Sequence, residues 1–345
     1  MFVRPRVLSI LTTRRCTARC DHCCVGAGPR ATGTLTVPRI RALLEEATSV
    51  PTIERIVFTG GEAFLLGDDL TALVTRAHGL GFATRAITNG FWARDAVAAD
   101  RRIGALAEAG LDELMFSTGT FHQAFVPVGH VVNGARAAVR AGLATRVSVE
   151  TCDQSSFGEA ALRADLRDEL ASGMLAVSSD PWITDAGGRG SSRLTHERLR
   201  AAHGDGVRGG CATIMTTLSV TPDQELVACC GFPLEELPGL RIGSIAQRAL
   251  GDVIRDAPND ALKMFLHVAG PAGIAEFVAR YEPGYSLPGN PISICEACVA
   301  LQRDTRAMRI AAEHVGAIAT ELAARFTAQQ YAFTLPTTPT AHARS

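Results

Sequence analysis

The chain has 345 residues, 47% of them hydrophobic, and a formal net charge of −1. Such a chain can bury a large core, and its near-neutral charge argues against a partner chosen by charge, such as nucleic acid or an anionic membrane. Its longest apolar runs fall short of the roughly 20 residues that span a bilayer, and the amino-terminal run is too short for a secretory signal. We therefore expect a cytoplasmic protein with no nucleic acid and no membrane as partner, in which the 10 cysteines are metal ligands rather than disulfides.

The first half of the chain alternates short β-branched runs with longer runs of helical period. Strands are predicted at Val7–Leu11, Arg55–Phe58, Ala83–Ile87, Glu113–Phe116, Thr145–Glu150 and Leu175–Ser178. Helices are predicted at Val37–Thr48, Leu70–Leu80, Ala96–Ala109, Val131–Ala141 and Phe157–Ala171. This alternation implies parallel strands joined by right-handed crossovers. Periodicity alone leaves both an open doubly wound sheet and a barrel as candidates.

The pattern changes after the sixth predicted strand. Residues 181–210 are rich in Gly, Arg and Ser and predict a loop or linker. Beyond them the sequence predicts a β-hairpin (Thr216–Val220 and Glu225–Cys229), a helical region (246–280), one long helix (Val299–Arg325) and a disordered tail (334–345).

Four cysteines lie within nine residues directly after the first predicted strand: Cys16, Cys20, Cys23 and Cys24. The first three have C-x3-C-x2-C spacing, and thiolates this close in a loop can converge on a zinc ion or an iron–sulfur cluster. A zinc site would take Cys24 as its fourth ligand. A cluster held by three thiolates would instead leave one metal position open to a group that is not protein.

Three further motifs follow the next predicted strands. Gly60-Gly61-Glu62 follows the second strand, Thr88-Asn89-Gly90 follows the third, and Ser117 ends the fourth. Together with the cysteine loop, and in this order, these motifs resemble those of the radical S-adenosylmethionine (SAM) enzymes. The second motif departs from the family's usual Gly-Gly-Glu-Pro, because Ala63 occupies the last position. The joint order favours this resemblance over a zinc knuckle and makes Cys24 a buried neighbour rather than a ligand.

The resemblance implies an α/β fold, a partial (βα)6 TIM-like barrel, with its functional groups at the carboxyl ends of the strands. It also implies a 4Fe–4S cluster, SAM, and a reductant such as flavodoxin or ferredoxin; reductive cleavage of SAM yields a 5′-deoxyadenosyl radical that abstracts a hydrogen atom. The implied cluster ligands are Cys16, Cys20 and Cys23. The implied SAM contacts are His22 near the adenine, Gly60, Gly61, Glu62 at the methionyl amine, Asn89, and Ser117 at the ribose.

A second set of cysteines lies beyond the predicted barrel: Cys211, Cys229, Cys230, Cys295 and Cys298. This set resembles the short "twitch" form of the SPASM extension, which implies one auxiliary 4Fe–4S cluster. The matching ligands are Cys211, Cys229, Cys295 and Cys298, with Cys230 as the alternative to Cys229. A structural four-cysteine zinc site is the competing interpretation.

These assignments divide the chain into five parts. They are a radical SAM barrel (1–180), a linker or lid (181–210), an auxiliary iron–sulfur domain (211–300), a C-terminal helix (301–333) and a disordered tail (334–345).

Substrate chemistry is assigned to His122, in the loop after the fourth strand, and to Glu150, at the end of the fifth. The expected function is hydrogen abstraction from a ribosomally made peptide in natural-product biosynthesis. The first strand begins almost at the amino terminus, so we expect no fused peptide-recognition domain; a leader-peptide-binding partner could be separate. One alternative is radical dehydrogenation or rearrangement of a small molecule of the sugar or aminocyclitol type. Another is a zinc-stabilised, non-catalytic interaction protein.

Overall fold

The structure is a computed structural model. It describes residues 4–150, 157, 159–180, 207–230, 237–257, 260–289, 291 and 293–334. Outside this part of the chain lie the predicted tail after residue 334 and all of the predicted lid except residues 207–210.

Nine strands form one mixed sheet in the order β6-β5-β4-β3-β2-β1-β7-β8-β9. Neighbouring strands from β6 to β7 run parallel, whereas β8 and β9 are antiparallel to their neighbours. The strands are β1 (Val7–Leu11), β2 (Arg55–Thr59), β3 (Ala83–Thr88), β4 (Glu113–Gly119), β5 (Ala144–Glu150), β6 (Leu175–Asp180), β7 (Thr217–Val220), β8 (Glu225–Val227) and β9 (Arg241–Ser244). All six predicted barrel strands are therefore confirmed, in sequence order.

The α-helices of the described chain follow the strands as expected for crossover connections. They are α1 (Val37–Ala47), α2 (Asp68–Gly79), α3 (Ala96–Glu108), α4 (Thr120–Gln123), α5 (Val128–Arg140), α6 (Glu159–Asp165), α7 (Arg167–Ala171), α8 (Leu250–Asp256), α9 (Ala261–Val278), α10 (Ile294–Arg303), α11 (Thr305–His314) and α12 (Ala319–Thr334). Side chains cap the two helices that follow β1 and β3: Thr36 accepts a hydrogen bond from the Arg39 amide, and Asp95 accepts one from the Ala98 amide.

The core lies between the sheet and the helices. Burial alternates along β4, where Leu114 and Phe116 are fully buried while Met115 and Ser117 are only partly buried. Successive side chains of a strand point to opposite faces, so one face of β4 packs on helices and the other faces the barrel interior. Burying a side chain such as Phe116 stabilises the fold by about 1.5–3 kcal/mol.

The predicted hairpin is present, but it is joined to the barrel. Its first strand, β7, pairs parallel with β1, from Val7 opposite Thr217 to Ile10 opposite Val220. The barrel sheet therefore has seven parallel strands where the sequence predicted six, and β8 and β9 extend it further.

The single long helix predicted at Val299–Arg325 is wrong. The chain leaves helical geometry at Asp304 (φ −80°, ψ 87°), and the Asp304 carboxylate accepts a hydrogen bond from the Ala307 amide to begin α11. A 3₁₀ turn at Val315–Ile318 then separates α11 from α12. The predicted helix Phe157–Ala171 is likewise divided into α6 and α7, at Leu166.

Among the described residues, one helix is long and apolar enough to cross a membrane, namely α9, but 67% of that stretch is buried inside the protein. A core helix of a globular domain has the same length and composition. Gly270 (φ 70°), which precedes Pro271, kinks this helix.

Candidate functional site

The cysteine loop lies over the carboxyl ends of the first three strands. Cys16 is fixed by a backbone hydrogen bond from its amide to the Gly28 carbonyl (3.1 Å), and Cys23 by one to the Cys20 carbonyl (3.2 Å). The Asn89 side-chain amide, at the end of β3, lies 3.6 Å from the Cys16 sulfur and donates to Thr17 Oγ1 at 3.1 Å. The loop and the Thr88-Asn89-Gly90 motif therefore form one unit.

Gly60 and Gly61 bring the end of β2 into backbone contact with this loop. The Gly61 amide donates to the Thr13 carbonyl at 2.6 Å, and the Glu62 amide donates to the Arg15 carbonyl at 2.9 Å. A Cβ atom on Gly61 would overlap the Arg15 carbonyl, and one on Gly60 would overlap the Thr13 carbonyl. Only glycine permits so close an approach.

Glu62 has protein partners for its carboxylate. Its side chain is buried and accepts hydrogen bonds from the Phe64 amide (3.0 Å), Thr88 Oγ1 (2.8 Å) and the Asn89 amide (2.8 Å). Burial raises the pKa of this carboxyl to about 7, although these hydrogen bonds oppose the shift. Glu62 therefore braces the ends of β2 and β3 against each other, and its predicted contact with a methionyl amine stays a prediction.

Glu150 holds the His122 ring. Glu150 Oε2 lies 3.0 Å from His122 Nδ1, while Oε1 accepts hydrogen bonds from the amides of Phe121 (2.6 Å) and His122 (3.2 Å). Gly119, with φ 134°, ends β4 beside this carboxylate, and a Cβ atom there would overlap Glu150. The two side chains are 14% and 7% exposed, so the pair is largely shielded from water.

The predicted residues meet at one cavity of about 340 Å³. Its lining includes the three spaced cysteines, His22, Gly60, Gly61, Asn89, Ser117, His122 and Glu150. Of the residues predicted for the first site, only Glu62 is not part of this lining; it lies buried behind the cavity wall. The cavity also contacts Cys24 and Cys230.

Several cavity residues were not predicted from the sequence: Ile87, Met115 and Ser148. Each lies two positions before a predicted residue on its strand, namely Asn89, Ser117 and Glu150 respectively. Because side chains alternate along a strand with a period of two, the residue two positions earlier faces the same way. That alternation could have identified all three.

The second set of cysteines surrounds a separate cavity, lined by Cys211, Cys229, Cys230, Cys295 and Cys298. Burial raises the pKa of the Cys298 thiol, and the neighbouring Cys229 and Cys211 raise it further. Burial also raises the pKa of the Cys295 thiol, with smaller contributions from Cys229 and other nearby cysteines. Thiols in such surroundings become thiolates when a metal supplies compensating positive charge. The donor set therefore suits a metal centre.

Comparison with known proteins identifies the class. Residues 10–144 match the Radical SAM superfamily, and this part of the chain is a radical SAM domain. Such a domain implies a 4Fe–4S cluster and SAM, and the first cavity fits both, because Cys16, Cys20 and Cys23 line it and its volume is about 340 Å³.

Among particular proteins, the chain is similar to YydG of Bacillus subtilis (strain 168), a protein whose name refers to peptide biosynthesis. The two are 30% identical over 128 residues, which cover 37% of this chain and 40% of YydG. The matched region thus spans less than half of that relative.

Two solved structures share the fold. SuiB of Streptococcus suis, bound to the precursor peptide SuiA, has a TM-score of 0.54 at 13% identity, over 74% of this chain and 66% of SuiB. Native anSMEcpe with bound AdoMet has a TM-score of 0.50 at 12% identity, over 92% of this chain and 100% of that one. At such identities the likeness shows the fold alone, and it agrees with the predicted partial TIM-like barrel.

Proposed function

We propose that this protein is a radical SAM enzyme that abstracts a hydrogen atom from a ribosomally made peptide. The observation that carries the proposal is the convergence of Cys16, Cys20 and Cys23 with the glycine motif on one cavity at the carboxyl ends of the parallel strands. Catalytic groups gather at this end of parallel α/β barrels.

In this proposal Cys16, Cys20 and Cys23 hold the cluster, and His22, Gly60, Gly61, Asn89 and Ser117 contact SAM, with Glu62 supporting them. Bound there, the cluster and SAM would supply the 5′-deoxyadenosyl radical, with an electron from a reductant such as flavodoxin or ferredoxin. The protein's own contribution is to orient these groups and to exclude water. The backbone contacts of Gly61 and the side-chain contacts of Asn89 fix the loop for that task.

His122 and Glu150 are proposed to act on the substrate. Glu150 binds the Nδ1 edge of the His122 ring, which leaves Nε2 for contact with a bound molecule. His122 lines the same cavity as the three cysteines, so a substrate held there for hydrogen abstraction would also be within reach of the ring. His122 would hold or move a proton at Nε2.

A peptide substrate is supported by the similarity to YydG, whose name refers to peptide biosynthesis. SuiB, which shares the fold, was crystallised with a precursor peptide. A separate leader-peptide-binding protein remains a proposed partner.

The second cavity is proposed to hold one auxiliary 4Fe–4S cluster on Cys211, Cys229, Cys295 and Cys298. Cys230 stays the alternative to Cys229, because both residues line this cavity. Four protein thiolates would leave no position for a substrate, so we assign this cluster to electron transfer or structure rather than to substrate binding.

The test is anaerobic incubation of the reconstituted full chain with reductant and SAM, with 5′-deoxyadenosine as the measured product. Cys16→Ala, Cys20→Ala and Cys23→Ala should abolish the product, whereas Cys24→Ala should largely retain it. A colourless protein that contains stoichiometric zinc and forms no 5′-deoxyadenosine would contradict the proposed radical SAM activity.

The peptide substrate is tested separately. Any short peptide found to be encoded beside the gene is the candidate, and it is synthesised with deuterium at its carbon positions. We expect deuterium to appear in 5′-deoxyadenosine and the peptide mass to change. If 5′-deoxyadenosine forms only without deuterium and the peptide is unaltered, the peptide assignment is wrong while the radical chemistry stands.

A further inference from the structure

Three side chains at the edge of the first cavity offer metal-binding atoms to a common point. The Cys20 sulfur and one ring nitrogen each from His22 and His122 all lie within 4.8 Å of one another. Cys20 is 6% exposed, and the two histidine rings are 4.9 Å apart between centroids. Of these three, only Cys20 belongs to the predicted cluster ligands.

The His122 ring is already oriented as a metal ligand requires. Its Nδ1 bonds the Glu150 carboxylate, so Nε2 is the nitrogen available to an ion. Carboxylate–histidine pairs of this kind fix the tautomer and ring orientation of ligands in zinc sites. The Phe121 and His122 amides hold Glu150 in turn.

One sulfur and two imidazole nitrogens form a donor set that zinc accepts, with the fourth tetrahedral position open to water. At bond lengths of about 2.3 Å to sulfur and 2.0–2.1 Å to nitrogen, the donors of one tetrahedral ion lie roughly 3.5 Å apart. The three donor atoms, which all lie within 4.8 Å of one another, would therefore need to approach each other by at most about 1.3 Å to bind one ion.

We propose that Cys20, His22 and His122 form a mononuclear Zn²⁺ site in the cluster-free protein, positioned by Glu150. Because Cys20 is shared with the cluster assigned above, zinc at this site and the 4Fe–4S cluster exclude each other. That exclusion rests on the proposed function; the zinc site itself does not.

The probe is Co²⁺, added anaerobically to the cluster-free full chain and followed by its visible absorption, with Zn²⁺ then added in competition. The distal cysteines can bind Co²⁺ as well, so the measured quantity is the number of equivalents. His122→Ala should bind one equivalent fewer than the wild type. Glu150→Gln should weaken binding at this site about 10- to 100-fold, as loss of a ligand's supporting hydrogen bond does.

His78→Ala replaces an exposed histidine on α2 and should bind as many equivalents of Co²⁺ as the wild type. Co²⁺ retained at the distal cysteines and an unchanged circular dichroism spectrum report that His122→Ala is folded. Equal Co²⁺ stoichiometry and spectra in His122→Ala and the wild type would overturn the site. Failure of the enzyme to form 5′-deoxyadenosine would leave this titration unaffected, so the two proposals fail separately.

Zinc competition during cluster assembly tests the exclusion. Two equivalents of Zn²⁺, enough for the distal cysteines and for this site, added before iron and sulfide should lower cluster incorporation at the first site in the wild type and much less in His122→Ala. Equal incorporation with and without zinc in the wild type would contradict the exclusion.

Discussion

At the scale of single residues, Glu62 shows how a site can depend on a group that does not line it. Its buried carboxylate joins the Phe64 amide, the Thr88 hydroxyl and the Asn89 amide. Thr88 Oγ1 also accepts hydrogen bonds from the Gly90 amide and the Trp92 ring nitrogen. The ends of β2 and β3 therefore share one polar network behind the cavity, and the loss of one member leaves others unsatisfied.

The raised pKa of Glu62 predicts a pH dependence of stability. With a pKa of about 7 in the folded protein against an ordinary 4.5, Glu62 keeps its proton on folding where the unfolded chain loses it. The free energy of unfolding should therefore fall as pH rises from about 4.5 to 7, by up to about 3 kcal/mol, and change no further above that range. Chemical denaturation of the cluster-free chain across this range measures it.

In the Glu62→Gln variant this side chain cannot ionise, so the free energy of unfolding should not show the fall caused by Glu62. Glu54→Gln, at an exposed carboxylate on the surface, should retain the wild-type profile. Parallel profiles for the wild type and Glu62→Gln would refute the assignment.

The glycine motif predicted a role for Glu62 but not the partners of its carboxylate. The motif predicted a carboxylate at the end of β2, and the structure places it there. Whether that carboxylate meets protein or cofactor depends on the distance to Thr88 and Asn89, which belong to the neighbouring strand. A motif within one segment of the sequence does not specify the distance to a residue on another strand.

At the scale of elements, the site depends on how the loop after β1 docks on the end of β2. Two backbone hydrogen bonds, from Gly61 to Thr13 and from Glu62 to Arg15, form this contact. The motif predicted glycines, and the structure gives the reason: the loop carbonyls occupy the space of their missing side chains.

Gly61→Ala should displace the loop, because its Cβ would overlap the backbone of Arg15, which cannot rotate away as a side chain could. We expect a loss of stability of about 1–3 kcal/mol and reduced iron incorporation at the first site. Thermal denaturation and iron content measure the two effects.

Gly104→Ala is the matched control. Gly104 lies within α3 and has no atom within 4 Å of the added Cβ, so the change should stabilise the protein by about 0.5–1 kcal/mol. If Gly61→Ala has the same stability and iron content as this control, the contact between the cysteine loop and the end of β2 does not determine stability or iron incorporation.

Helix boundaries in the C-terminal part were the least predictable elements. The run from 299 to 325 has a continuous helical composition, yet Asp304 ends one helix and caps the next. Asp is tolerated inside helices and favoured at caps, and packing against other elements decides between the two.

At the scale of the whole molecule, the two sets of cysteines are neighbours. Cys230 lines both cavities, and Cys24, which directly follows a predicted cluster ligand, lies at the first. Burial raises the pKa of the Cys24 thiol to about 12, with smaller contributions from Cys23 and Cys229. Cys24 is therefore affected by charge on a cysteine of each set. The wall between the cavities is thus built partly of cysteines that neither predicted cluster requires.

Two clusters predict an iron content of about eight per chain after reconstitution. Cys298→Ala should lower this toward about four and spare the visible absorption of the first cluster, since Cys298 lines only the second cavity. Iron and acid-labile sulfide analysis, with zinc measured in parallel, provides the count.

Cys24→Ala serves as the control and should retain about eight irons. A Cys298→Ala variant with undiminished iron, or a wild type with zinc at the distal cysteines, would contradict the auxiliary cluster.

The strand order of the barrel followed from the sequence, because each βα unit packs beside the previous one. The position of β7 in the sheet did not follow from the sequence. The hairpin pattern predicts a strand and its antiparallel partner, but the parallel pairing of β7 with β1 joins segments 210 positions apart, from Val7 to Thr217. Only the assembled sheet shows which edge accepts it.

This pairing has a consequence for synthesis of the protein in the cell. At roughly 5–20 residues per second, a ribosome takes about 10–40 s to proceed from β1 to β7. Throughout that interval the nascent strand that carries the cysteine loop has one open edge, and such edges recruit strands from other chains. Completion of the sheet beside the strand that carries the cysteine loop therefore waits for the distal part of the chain to emerge.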